Sequence, residues 1–263
     1  MDFTFDAYEH YLQLLRANYL EILTFSEFFK SKSTAPSCCL IRHDVDRKPL
    51  NALRMAELEH RLGISSTCYF RTKPHTLKAD LIKAISWLGH EIGYHYENLS
   101  DCNGDYGKAL VDFEENLGRL REIAPIGTIC MHGRPLKQWD NRDLWRDKDR
   151  HAMLGDRFHI LGEVYLDIDY SNIAYVNDTG RNWTSTNSNV RDRVNSNITV
   201  NFATQGDLLQ YLQNPCHPRL VFQIHPERWA QNVFEWSAQL AIDSCTNLAK
   251  KGFQSWRALR GTA

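Results

Sequence analysis

The stretch Leu40–Leu50, LIRHDVDRKPL, closes an apolar run with Arg42-His43-Asp44-Val45-Asp46. Two carboxylates spaced by two residues point to the same side of an extended chain. Side by side they ionise together only at a cost, unless a cation lies near them. A divalent metal bound by one of them, with the other left free as a base, removes that conflict. Zinc suits such a site: it accepts histidine nitrogen and carboxylate oxygen, and in catalytic centres it keeps three protein ligands and one open position.

Residues of the same chemical types recur where other apolar runs stop, at His95-Tyr96-Glu97, His132-Gly133-Arg134 and His225-Pro226-Glu227-Arg228-Trp229. Each has an ordinary explanation when taken alone. A strand-end histidine is commonly a hydrogen-bonded structural residue, and an aspartate there is commonly a turn former or helix cap. Asp46, just before RKPL and a helical pattern, is in place to be such a cap. The coincidence at four ends favours a shared site. His90 follows a helix-ending glycine and is assigned to structure.

Those ends need elements to bring them together. CCLIR, SSTCYF, HEIGYH and GTICM read as strands. NALRMAELEHRLG, KADLIKAISWLG and YGKALVDFEENLGRLREI read as helices, the first two stopped by Gly63 and Gly89. The alternation argues for parallel strands joined by crossover helices, whose C-terminal strand ends are where α/β active sites are built. Further on, IAYVN, NITVNF and LVFQIH read as strands, and QGDLLQYLQ and VFEWSAQLAIDSCTNLAKKG as helices. The polar segment Lys137–Asn195 reads as long loops over that scaffold.

With 263 residues the chain is treated as one domain, 1–263, with long polar loops around 132–195. A formal net charge of −1 and the lack of a basic stripe argue against a nucleic-acid partner. No apolar stretch is long enough for a transmembrane segment, and the N-terminus lacks signal-peptide features. The seven cysteines include no CxxC pair and several lie in apolar runs, so the expectation is a reduced, cytoplasmic protein without disulfides.

RHDVD, GHEIGYH, HGRP and FQIHP, taken in this order, resemble motifs of the polysaccharide deacetylase (NodB homology) family, carbohydrate esterase family 4. The resemblance implies an irregular parallel (β/α) barrel of about seven strands. It implies Asp44 as catalytic base, Asp46 and His95 as metal ligands and His225 as catalytic acid. The family's second metal histidine lies four residues after the first, and here that position is Leu99, which cannot bind a metal. Glu97 and His132 are the candidates to replace it. For the remaining motif only LDIDY, with Asp167 and Asp169, is available. GYHYENLS and MHGRPLKQWDNRDLW resemble a subgroup associated with bacterial O-antigen and surface-polysaccharide clusters, which implies a nucleotide- or lipid-linked sugar substrate.

The activity implied is hydrolysis of an N-acyl group, N-acetyl above all, from a sugar. The loop KQWDNRDLW then offers Trp139 and Trp145 as ring faces for sugar, and Asn141 and Arg142 as polar contacts. Arg134 is a further substrate-binding candidate. Asp178 and Arg181, in DTGRNW, are a second polar wall. Two other readings stand beside this one: a metal-independent amidohydrolase on the same fold, which Leu99 keeps open, and a non-catalytic sugar binder.

Overall fold

The computed structural model describes residues 1–31, 36–134, 137–181, 183–184 and 191–245. In chain order the strands are β1 (Glu21–Leu23), β2 (Cys38–Val45), β3 (Thr67–Phe70), β4 (Glu91–Tyr96), β5 (Ile126–Met131), β6 (Gly162–Glu163), β7 (Ala174–Asn177), β8 (Trp183–Thr184), β9 (Asn201–Phe202) and β10 (Arg219–Ile224). The helices are α1 (Phe5–Asn18), α2 (Phe25–Ser31), α3 (Pro49–Arg61), α4 (Ala79–Trp87), α5 (Asn98–Asp101), α6 (Tyr106–Arg121), α7 (Lys148–Phe158) and α8 (Gln205–Gln213). Residues 233–245 are also helical.

The main sheet runs β6-β5-β4-β3-β2-β10-β7, all parallel, and β1 adds to the N-terminal part of β2. This seven-strand path is the irregular (β/α) barrel expected. It is a curled sheet whose path ends at β6 and β7, and Val164, Ile168, Tyr170 and Ile173 from the chain between those strands fill its inside. The expected NITVNF strand shrinks to β9, which pairs antiparallel with β8 outside the main sheet. The expected loop region holds the helix α7, started by Asp147, whose side chain accepts from Arg150 N. The helix expected from Val233 onward runs through the described residues to 245; the rest of VFEWSAQLAIDSCTNLAKKG lies outside them.

The strands of the seven-strand path are buried on both faces along most of their length, as parallel sheets must be when helices cover one side and the curl encloses the other. Along β2 the faces alternate. Cys39 and Ile41 point outward to the cluster under α1 and α3, whereas Leu40 points inward with Tyr69, Cys130, Tyr175 and Val221. The same inward face continues from Leu40 to Arg42 and Asp44. Apolar side chains therefore fill the bottom of the curl and polar ones line its C-terminal mouth.

Outside the sheet, α1 is capped by Thr4, whose Oγ1 accepts from Ala7 N at 3.2 Å, and buries Tyr8, Tyr11, Leu12 and Leu15. On α6, Ala109, Phe113, Leu117 and Leu120 form the buried stripe against the other end of the sheet. Each such side chain removed from water stabilises the fold by about 1.5–3 kcal/mol. Among the described residues no helix is long and apolar enough to cross a membrane, and the seven cysteines are free.

Candidate active site

The mouth of the curl is built two residues at a time. Register pairs Arg42 with Gln223 and Ile224 with His43. Arg42 and Asp44 on β2 and Gln223 on β10 thus face inward together, and His225 follows Gln223 at the same period of two. His95 enters from β4, beside Cys130 of β5.

Asp44 is buried and held on both oxygens. Arg42 donates to Oδ1 through Nε and to Oδ2 through Nη2, each at 2.9 Å, and Gln223 Nε2 donates to Oδ2 at 2.7 Å. Burial alone would raise its pKa; the Arg42 guanidinium, with His95 and His225, overrides this and holds the carboxyl below its ordinary value. Arg42 is itself fixed from behind. It donates to Tyr165 Oη at 2.6 Å and stacks over that ring, and it lies 3.5 Å from Asp192, which Tyr165 also contacts. Tyr175 Oη lies 2.5 Å from Gln223 Oε1 and 2.7 Å from Asp192 Oδ1.

Asp46 follows the end of β2, where its N–H donates to Asp44 O at 3.0 Å. It does not cap α3; Lys48 holds that position. Its Oδ1 is buried and has no hydrogen-bond partner among the described residues. His95 Nε2 lies 3.4 Å from this oxygen and His132 Nε2 3.3 Å. Both rings are oriented from their other nitrogen: His95 Nδ1 donates to Cys130 O at 2.9 Å, and His132 Nδ1 donates to Glu97 Oε2 at 3.0 Å. Each therefore presents a bare Nε2 in its neutral form. One carboxylate and two imidazoles within 4.8 Å of one another fit a zinc-type ion with an open position. Leu99 lies on α5 and packs into the core, and His132, just after β5, is the third member of the trio.

A second trio, Asp44, His95 and Cys130, also lies within 4.8 Å. It is the poorer donor set. Arg42 and Gln223 already occupy Asp44, and burial pushes the Cys130 thiol well up, against the thiolate a metal requires.

Glu97 is not one of the groups whose donor atoms converge in this trio. Arg71 donates twice to its Oε1, at 2.9 and 2.7 Å, and Arg134 donates to Oε2 at 2.5 Å. Burial opposes ionisation, but His132 and these guanidiniums hold Glu97 far below the carboxylate range. Glu97 thus orients the His132 ring. Burial also lowers the His132 pKa, and Asp46 and Glu97 override it, raising it to about 9. At neutral pH proton and ion compete for the same Nε2.

At the end of β10, His225 Nδ1 donates to Asp178 Oδ1 at 2.6 Å, and the His225 N–H donates to Oδ2 at 2.9 Å. Trp229 Nε1 donates to Oδ2 as well, at 2.9 Å. Burial pulls the imidazole down; Asp178 outweighs it and raises the pKa to about 9. His225 is therefore a cationic acid at neutral pH. Glu227, two residues on, is buried with Oε2 unpartnered among the described residues, and burial together with Asp46 pushes its carboxyl up to about 7.

The residues expected to contact sugar are engaged largely by the protein itself. Trp145 is fully buried, its ring 5.2 Å from Phe113, and belongs to the core. Asn141 is buried too: it accepts from Ser100 N at 2.8 Å and donates through Nδ2 to His132 O at 2.8 Å, so it fixes the His132 loop. Trp139 packs over the Gly104 turn. Arg142 pairs with Asp140 and lies over Tyr165, and Arg134 bridges Glu97 and Asp101 at the rim. Asp178 sits behind His225 rather than on a cavity wall, and Arg181 is wedged between Phe3 and Trp236. Asp167 bonds His151 and Glu163 N, away from the cluster. Sequence reasoning missed Arg42 and Gln223 as the holders of Asp44, although period two from Asp44 and His225 leads to both. A groove of about 670 Å³, lined by Lys48, Asn51, His75 and Leu77 among others, adjoins this mouth, and His75 Nε2 donates to Asp46 O at 3.2 Å.

No family model and no curated protein matches this sequence. Among solved structures, a family 4 carbohydrate esterase from Bacillus anthracis is 12% identical, with 92% of this chain and 86% of that one covered and a TM-score of 0.41. A Streptococcus mutans CE4 esterase is also 12% identical, with 92% and 90% covered and a TM-score of 0.45. A mutant of a CE4 family pseudoenzyme with restored enzymatic activity is 13% identical, with a TM-score of 0.44; 81% of this chain matches, and it spans 63% of that one.

Proposed function

We propose that the chain is a metal-dependent carbohydrate N-deacetylase, a hydrolase of a linear amide C–N bond. The observation that carries this reading is the trio at one strand-end mouth: Asp46 with an unpartnered buried oxygen, facing His95 and His132 whose outer nitrogens are already engaged. Asp46, His95 and His132 would hold a divalent ion, zinc by donor type. When bound, such an ion supplies Lewis-acid polarisation and a lowered pKa for water.

The chain's own residues supply the proton transfers. Asp44, ionised at neutral pH, receives a proton from the attacking water. Arg42 and Gln223 keep its carboxylate aimed. His225, held cationic by Asp178, gives its proton to the departing nitrogen as the C–N bond breaks, leaving a free amine and a carboxylate. A nucleotide or lipid carrier for the sugar, in surface-polysaccharide synthesis, belongs to the same proposal and follows from the sequence resemblance alone.

The test is a pair of substitutions read by metal content and by release of acetate from a panel of N-acetyl sugars. Asp44→Asn keeps the metal and loses turnover by about 100-fold or more, the usual worth of a positioned base. Asp46→Ala loses both. Wild-type rates in Asp44→Asn would overturn the base assignment.

A further inference from the structure

Glu227 is a buried carboxylate whose Oε2 has no hydrogen-bond partner among the described residues. Its other oxygen lies 3.8 Å from the half-exposed Arg47 guanidinium, beyond hydrogen-bond reach. Leaving a buried acceptor unmade is costly, more so for a charged group. The backbone around it is nonetheless firmly built. Lys48 Nζ donates to Glu227 O at 3.2 Å, Asn51 Nδ2 donates to Pro226 O at 3.1 Å, and Arg228 N donates to His225 O at 3.0 Å. The segment that carries the side chain is therefore held in place, while Oε2 has no partner among the described residues.

Glu227 sits two residues from His225, and Arg47, the residue after Asp46, lies 3.8 Å from its carboxyl, so the side chain stands between the two. On the deacetylase reading, on which this inference rests, that is where the scissile group lies, with its nitrogen toward His225. A secondary amide carries one donor at that nitrogen, its N–H. An ester carries none. We propose that Glu227 Oε2 accepts the N–H of the scissile amide and so makes the site selective for N-acyl over O-acyl sugars.

The experiment uses the metal-loaded full chain and a matched pair of probes, 4-nitrophenyl 2-acetamido-2-deoxy-β-glucoside and the corresponding 2-O-acetyl glucoside. Binding is measured by calorimetry with wild type, Glu227→Leu and Glu227→Gln, and acetate release is followed separately. Expected at pH 8, with the carboxyl ionised, is a wild-type preference of about tenfold or more for the amide, the range of a hydrogen bond to a charged group. Glu227→Leu abolishes that preference by weakening the amide alone, and Glu227→Gln, which keeps an acceptor oxygen, retains part of it. Equal weakening of both probes, or a wild type without preference, overturns the proposal. Selective binding without acetate release on either probe overturns the deacetylase reading and leaves the role of Glu227 in recognition standing.

Discussion

The Asp178 carboxylate takes both of its oxygens to the end of β10, one to the His225 ring and one to the His225 N–H and the Trp229 indole. An imidazolium so held keeps its proton up to about 9 instead of titrating near neutrality. A reaction that needs His225 protonated loses rate as pH rises through that value. In Asp178→Asn the charge is gone while the shape stays, so the alkaline limb of the kcat/KM profile moves down by one unit or more. A limb that stays in place excludes His225 as the titrating acid. His132 carries a second prediction at this scale. It stands third beside Asp46 and His95, whereas Leu99 is a core residue. His132→Ala should lose bound metal, as His95→Ala should. Leu99→Ala should keep its metal and lose about 2–5 kcal/mol of stability. Metal content by elemental analysis and denaturant melts separate the two, and stoichiometric metal in His132→Ala would remove it from the ligand set.

At the scale of elements, α3 is tied to the outer face of β2 and β3 by one buried carboxylate. Glu59 Oε1 lies 2.6 Å from His43 Nε2 and also accepts from Tyr8, and Oε2 accepts from Ser66 Oγ at 2.6 Å. Burial would raise the Glu59 pKa; His43, His90 and Ser66 lower it to about 2. The depressed folded value means that its stabilisation is present above the ordinary carboxylate range and is lost as pH falls through about 2. From the shift alone this is on the order of 3 kcal/mol. Glu59→Gln should flatten stability against pH between about 4.5 and 2, measured by urea melts; an unchanged acid slope would place the acid sensitivity elsewhere. The same pair of elements shows what the residues disclosed in advance. β2, β3, β4, β5 and β10 were legible because apolar runs stop at polar residues, and α3, α4 and α6 because their stripes keep helical phase. Asp44, Asp46, His95, His132 and His225 were legible as a set for the same reason. The direction of side chains in 137–195 was not. Trp145 and Asn141 are polar-loop residues by neighbourhood, yet the short 3₁₀ helix Asn141–Leu144 and α7 fold them inward, and only tertiary contact with α6 and the His132 loop decides that.

Across the whole molecule, core and site meet at Trp229. Its ring is fully buried, edge-on to Phe3 at 5.4 Å, Tyr8 at 5.2 Å and Trp183 at 6.1 Å, so it joins α1, β8 and the end of β10. Its Nε1 reaches the other way, to the carboxylate that holds His225. Asp2 closes the same group, accepting from Tyr11 Oη and Trp183 Nε1. Trp229 thus performs two separable tasks, filling volume and donating one hydrogen bond. Trp229→Phe retains most of the filling and drops the bond; the expected stability loss is about 1–3 kcal/mol, the cost of leaving a buried acceptor short of one donor. The pKa read from the alkaline limb should change at the same time, because Asp178, freed of one donor, concentrates its charge on His225: the limb moves up in Trp229→Phe and down in Asp178→Asn. Trp229→Ala adds a cavity, costs about 3–5 kcal/mol, and loosens α1 against the sheet. Opposite shifts of one limb by two neighbours of the same histidine require that the N-terminal core sets the state of the acid; limbs that move together, or a Trp229→Phe profile identical to wild type, would confine Trp229 to packing.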